Sequence, residues 1–450
     1  MQSLLKEEAA HVSFGDKRRD RRFIKMVEQK VSKPTASIPE LGGGWSGVKL
    51  TYAFYDNDKV KEAQLASVLQ KATVDRCLGQ GVILHVMDTT NVHFSSSAEG
   101  LGYLDHGMGE GLMVHSSLAL DAEGCPLGVL HQKIWARDRK DMGKKKLRAQ
   151  KDITQKESYR WVESMKKAED LLHGVPLVLH IADRESDLYE LFATPRSCGP
   201  ELLLRATHDR STLLGHSMWE EVEGQPVLSS FELQVPKVRS EEVNKVHMQL
   251  KAGMVVLSAP KNKAHLPALI LYGIIVRQTG SPPGEEPLQW RLISTLPLSS
   301  PGQAMQWVQW YAYRWRIERL HYVLKSGCRL EDLQLRSVEA LRKATILYSL
   351  CAFKILQPLY LSRTQPQLCC TSFFPAEEWK LLSGITHKHP VLSNHPPTLK
   401  QCVMMLAKLG GYLARNSDGP PGIKNLWRGM QNFNTILQAL DYKKQWLSTS

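Results

Sequence analysis

The sequence has no Cys-x-x-Cys pair, no internal repeat and no low-complexity tract. Eight cysteines without paired spacing argue against a zinc ribbon and a disulfide framework, and fit reduced thiols in a cytosolic protein. The longest apolar runs, 268–276 and 344–353, fall short of the roughly 20 residues that a spanning helix needs. The first residues, "MQSLLKEEAA", lack the apolar stretch of a signal peptide. Gly42, Gly43 and Gly44 are not followed by the Lys-Ser/Thr of a phosphate loop, so a turn is expected there. Acid is also scarce: 45 Asp and Glu face 58 Lys and Arg, a formal net charge of +13.

What remains is a globular composition, 42% hydrophobic and 23% charged, in 450 residues. That length accommodates two or three domains with a substantial core. The basic excess points to a polyanionic partner, most simply nucleic acid. It is concentrated in two segments, 17–33 with eight bases against two acids, and 133–151 with nine against two. Either could be a solvated surface, but together they fit a phosphate-tracking one.

Residues 1–60 read as a compact basic helical unit. The segments 81–94 and 175–192 each read as a buried strand followed by polar residues, and 111–135 as a hairpin turning at "DAEGCP". An amphipathic helix is expected over 155–172, short strands over 202–298, helix over 301–358, a linker at 362–367 and helices beyond. Two apolar strands are expected to end on aspartates, Asp88 in "VMDTT" and Asp183 in "IADRE". An Asp in such a place commonly caps a turn, but polar side chains also gather where neighbouring strands end.

A third carboxylate stands among bases and aromatics in "YAYRWRIERLHYVLK", residues 311–325. At about 100° per residue, Tyr311, Arg314, Glu318 and Lys325 share an arc of roughly 60°. Tyr313, Ile317, Leu320 and Leu324 lie opposite, toward a core. An Arg314–Glu318 surface pair would explain part of this stripe, though not its aromatics or its excess of bases. Three clustered carboxylates need a compensating cation, and hard oxygen donors suit Mg²⁺ or Mn²⁺. Two such ions can activate water on a phosphodiester.

The spacing Y-(2)-R-(3)-E-(6)-K resembles the signature of cut-and-paste transposases of the insertion-sequence-four family. "DTT" at 88–90 and "DRESD" at 183–187 resemble that family's two aspartate motifs. "KES" at 156–158, "FGDKRRDRR" at 14–22, "LGGY" at 409–412 and "LWRGM" at 426–430 are similar to other family stretches. The resemblance implies an α/β, RNase-H-like core with the catalytic triad Asp88, Asp183 and Glu318, served by two Mg²⁺ ions, or Mn²⁺ in their place. Water would cut one strand at the transposon end, and the freed 3′-OH would form a hairpin that is reopened before strand transfer.

It further implies an N-terminal DNA-binding domain at 1–60, with Arg18, Arg19, Arg21 and Arg22 at the DNA. A catalytic domain would span 61–361, with a β-rich insertion at about 202–298, and a helical dimerisation domain 362–450. Tyr311, Arg314, Lys325 and Arg205 would contact DNA, and Trp290 would stack on a flipped base. The expected partners are transposon-end and target DNA and a second copy of the chain, in a bacterial cytoplasm at the nucleoid. A transposase-derived regulator without catalysis would be expected to have lost acidic ligands. A stand-alone RNase-H-like nuclease would not need the flanking regions.

Overall fold

The structure is a computed structural model that describes residues 5–95, 98–105, 109–142, 151–196, 199–236, 243–280, 286–389, 395–415 and 418–449. It opens with five helices: α1 (Lys6–Ala9), α2 (Lys17–Ser32), α3 (Ile38–Leu41), α4 (Trp45–Asp56) and α5 (Glu62–Cys77). Asp16 caps α2, its side chain accepting from Arg18 N. The four arginines expected at the DNA differ in their surroundings. Arg18 and Arg21 are exposed, but Arg19 donates to Phe14 O at 2.6 Å and Arg22 donates to Gly47 O and Thr51 Oγ1 of α4. Lys30, in the same basic run, is buried; it donates to Ala36 O and lies 4.6 Å from the Tyr348 ring. Part of the run's charge therefore assembles this unit, leaving fewer bases for a partner.

Ten strands then form one sheet: β1 (Val82–His93), β2 (Gly102–Tyr103), β3 (Glu110–Leu120), β4 (Pro126–Trp135), β5 (Leu177–Ala182), β6 (Pro200–Arg205), β7 (Val227–Pro236), β8 (Val243–Leu257), β9 (Leu269–Thr279) and β10 (Gln289–Ser294). Their order is β2-β3-β1-β5-β6-β10-β9-β8-β7, with β4 also paired to β3. β1, β5 and β6 are parallel, and the other pairings are antiparallel. The strand-rich stretch expected as an insertion thus extends the core sheet through the β6–β10 pair. It also contains α8 (Met218–Glu223), which the strand expectation had not included; a Ser217 capping box starts it and its apolar face buries Met218, Trp219 and Val222.

Between β4 and β5 lies α6 (Arg160–Leu171), and after β5 a 3₁₀ turn leads to α7 (Tyr189–Ala193). The chain continues with α9 (Pro301–Ala312), α10 (Trp315–Tyr322), a π-helical turn over Val323–Gly327, α11 (Val338–Thr364), α12 (Ala376–His387), α13 (Leu399–Leu409) and α14 (Ile423–Thr449). α11 runs into the segment expected as a linker at 362–367. By length and composition it could cross a membrane, but it is buried among its neighbours. Glycines of the "LGGY" and "LWRGM" stretches let α13 and α14 meet backbone to backbone. A Cβ at Gly429 would stand 1.8 Å from Leu406 O, and one at Gly410 1.9 Å from Asn425 O.

The faces of β1 divide the core. Leu84 and Val86 pack with Ile317, Leu320 and the apolar residues of α11, while Met87 packs with Trp161 and Met165 of α6. On the α6 side, His85 and His180 are register partners on β1 and β5, and their Nδ1 atoms lie 2.8 Å apart. One ring must donate and the other accept, so the two cannot both be charged. Burial lowers both pKa values, that of His180 to about 3. An unfolded histidine titrates near 6.5, so below that pH the unfolded chain binds more protons than the folded one. Stability therefore falls as pH drops from about 6.5 toward 3, and this contribution is flat above 6.5. Calorimetry from pH 7.5 to 5 should show wild type losing more stability than His85→Leu/His180→Leu, by roughly 1.4 kcal/mol per pH unit per histidine. Equal losses in the two proteins would contradict a neutral pair.

Candidate active site

β1 and β5 pair as far as Val86–Ile181, and Asp88 and Asp183 each lie two residues further on. The strands part there, so register sets the two aspartates side by side. Asp88 does not end its strand as expected. β1 continues to His93 because β3 goes on pairing with it after β5 stops, with Asp88 opposite Ser116. Asp183 caps the 3₁₀ turn Arg184–Ser186, accepting from Glu185 N at 3.0 Å. Asp88 shares its face of β1 with Leu84 and Val86, the face covered by α10, and Glu318 comes from α10.

The three carboxylates affect one another. Burial first, then the Asp183 charge and more weakly that of Glu318, push the Asp88 carboxyl up to about 7, against the opposing pull of Arg314. Glu318 accepts from Arg314 Nη2 at 2.6 Å, so the surface pair foreseen from spacing exists, but with Arg314 buried. His321 Nδ1 lies 3.7 Å from Asp88 Oδ2, and burial lowers its pKa to about 3, so it offers Asp88 no positive charge. Among the described residues, no group of three or more His, Cys, Asp or Glu side chains is arranged to hold a metal ion.

The helix carrying the expected four-residue stripe is not uniform. It tightens at Tyr313–Arg314, where Arg316 N bonds Tyr313 O and Ile317 N bonds Arg314 O, and it widens in the π turn, where Cys328 N reaches Val323 O. Such changes of pitch shift the phase of one helix face against another. Tyr311 is buried, with its ring 6.1 Å from that of half-buried Trp290 and the Arg205 charge close enough to act on its hydroxyl. Lys325 instead lines a cleft of about 380 Å³ with Thr89, Asn91, Arg137 and Arg160, donating to Asn91 O at 2.8 Å and lying 3.2 Å from Glu331. Arg314, Tyr311, Trp290 and Arg205 thus group on one side of the carboxylates, and Lys325 on another.

Sequence reasoning missed Arg160. Its Nε donates to Thr89 Oγ1 at 2.9 Å, and its Nη2 lies 2.6 Å from Glu185, so it ties the residue after Asp88 to the turn after Asp183. His115 on β3 also meets Thr89 Oγ1, at 2.9 Å. The available signal was the "KES" stretch, which ends two residues before Arg160. Asp187, the last residue of "DRESD", is buried and accepts from Thr207 N, His208 N and Arg210, so it anchors the segment after β6.

The family model described as "Transposase DDE domain" matches residues 129–353, half of the chain. The chain belongs to the DDE transposase family. That match contains Asp183 and Glu318 and begins after Asp88. "Transposase DNA-binding" matches residues 1–60, and "Transposase Tn5 dimerisation domain" matches 350–450, so the protein is a DNA transposase of Tn5 type. A solved structure described as the "Cryo-EM structure of piggyBac transposase synaptic complex with hairpin DNA (SNHP)" aligns at 9% identity and TM-score 0.35. It covers 97% of this chain and 78% of the other, a likeness too distant to carry an argument.

The burial of Asp88 beside other carboxylates has a consequence for the transposase's stability. Its folded carboxyl titrates near 7, above the ordinary value near 4, so the folded state binds the extra proton between those values. That stabilisation is present at low pH and is lost as pH rises toward 7. Asp88→Asn should then be more stable than wild type at pH 8 in EDTA, by on the order of 2–4 kcal/mol in denaturant melts. An Asp88→Asn protein no more stable than wild type would contradict the raised pKa.

Proposed function

We propose that this transposase binds the ends of its own element through residues 1–60 and cuts and joins DNA at Asp88, Asp183 and Glu318, by cut-and-paste transposition. The observation that carries this reading is the in-register placement of Asp88 and Asp183 where β1 and β5 part, with Glu318 supplied from α10. The motifs favour the insertion-sequence-four family, closest to the transposase of transposon Tn-five. They also favour work as a homodimer at the nucleoid, in the bacterial cytoplasm.

DDE transposase domains depend on divalent metal, generally Mg²⁺ or Mn²⁺. The chemistry of the donor set suits one, since Asp88, Asp183 and Glu318 are hard oxygen donors and the last two raise the Asp88 pKa against the partial offset of Arg314, although the three are not arranged around one ion here. Asp88, Asp183 and Glu318 would hold the ions. When bound, the ions supply an activated water and stabilise the departing 3′ oxygen as the phosphorus–oxygen bond breaks.

The chain's own residues do the rest. Arg314, paired with Glu318 at 2.6 Å, would be free to take a DNA phosphate in bidentate fashion once Glu318 held an ion. Arg160 keeps Thr89 and Glu185 together, which holds the strand ends on either side of the carboxylates. Trp290, edge-on to Tyr311, offers an indole face to an extruded base. Arg205 adds positive charge on the same side.

Asp88→Ala, Asp183→Ala and Glu318→Ala should each abolish cleavage of end DNA in Mg²⁺ while retaining its binding, in gel assays of both. Near-normal turnover by any one of them would remove that residue from the triad. Trp290→Ala should slow hairpin formation more than the first nick. A base stack is worth roughly 1–3 kcal/mol, hence about a 5- to 150-fold loss confined to that step. Equal slowing of both steps would make Trp290 a packing residue.

A further inference from the structure

A second cleft, of about 820 Å³, is lined by Lys133, Trp135, Arg137, Lys156, Glu157 and Arg160 among others. It shares Arg137 and Arg160 with the smaller cleft at Thr89, Thr90, Asn91 and Lys325, so the two adjoin as one trench that reaches Thr89, the residue after Asp88. We propose that this trench is the binding site for the second DNA duplex, the target to which the cleaved end is joined. The inference rests on the transposase reading and adds where that substrate lies.

The lining suits a sugar–phosphate backbone. In the larger cleft five bases, Lys133, Arg137, Lys151, Lys156 and Arg160, face two acids, Asp138 and Glu157. The wall is rigid. Glu157 accepts from Trp135 Nε1 at 2.7 Å and from Arg137 Nε and Nη2 at 2.7 and 2.8 Å, while Asp105 takes Arg137 Nη1 at 2.5 Å. Lys133 is paired with Glu163, and Arg160 with Glu185. Those pairs leave Lys151 and Lys156 as the lining bases without an ion pair among the described residues, and both are solvent-accessible. Positive charge beside half-buried Trp135 and Tyr103 fits a nucleic-acid strand better than a compact anion.

Position in the sheet separates this substrate from the transposon end. The trench belongs to the β2, β3 and β4 side of β1, whereas Arg205 and Trp290 stand on β6 and β10, across β5. Joining makes a new phosphorus–oxygen bond between the 3′-OH of the end and a target phosphate, and breaks one bond in the target strand. Two DNA runs must therefore meet at Asp88 from different directions. With Trp290, Tyr311 and Arg314 on one side, the trench is the approach on the other.

The test uses the full-length Lys151→Glu/Lys156→Glu protein, with its thermal midpoint checked against wild type. One assay follows nicking and hairpin formation on a duplex carrying the terminal sequence that borders the coding region in its element. The other follows joining of a pre-cleaved end to supercoiled plasmid across a salt series. Cleavage should stay within about twofold of wild type and joining should fall by about tenfold or more. The salt slope of plasmid binding should drop by roughly 2, one phosphate contact per lysine. Equal loss of cleavage and joining would place the transposon end in the trench and overturn the proposal. So would joining and salt slope both unchanged. A wild-type protein that neither cleaves nor joins this DNA would instead overturn the transposase reading itself.

Discussion

The partial burial of Asp88 beside two further carboxylates is the constraint on which this site depends. Asp88 lies mostly out of solvent with Asp183 and Glu318 close enough to raise its pKa. Such a cluster is costly to fold around and persists where the surrounding structure holds it. The restraint comes from elements that never touch the reacting atoms. The register of β1 and β5 places the two aspartates, and the His85–His180 bond joins the same strands three residues earlier. Arg160 ties Thr89, the residue after Asp88, to Glu185 in the turn after Asp183. Arg314 supplies the positive charge that lets Glu318 approach.

That arrangement accounts for an ion pair between buried Arg314 and half-buried Glu318 at the centre of the proposed metal site. An Arg–carboxylate pair is easily exchanged when a stronger cation and an anionic substrate arrive together, because each partner finds a replacement. In the proposed mechanism Glu318 would hold metal and Arg314 a phosphate, and the observed pair would be the resting arrangement.

The elements set by local rules were legible in the sequence: the apolar strand leading to Asp88, the hairpin turning at Asp121–Cys125, the strand and turn around Asp183, and the amphipathic helix beginning near Arg160. Long-range pairing was not. Nothing local in 81–94 says that β3 keeps pairing with β1 beyond Asp88, or that β10 joins β6 and so merges the later strands into the core sheet. The Tyr311–Lys325 stripe was recognised by spacing, but spacing assumes one helical pitch. The tight turn at Tyr313–Arg314 and the π turn after Tyr322 separated Lys325 from its partners. Arg22 and Lys30 show the same limit for charge, since a basic run does not reveal which of its members the fold consumes.

The most direct measurement of the central claim is anomalous diffraction from crystals of the transposase with end DNA, grown in Mn²⁺. The account predicts two manganese peaks held by Asp88, Asp183 and Glu318, with Glu318 turned away from Arg314 and the Arg314 guanidinium on a DNA phosphate. Manganese bound elsewhere, or a Glu318 still paired with Arg314 while DNA is cut in solution under the same conditions, would contradict it.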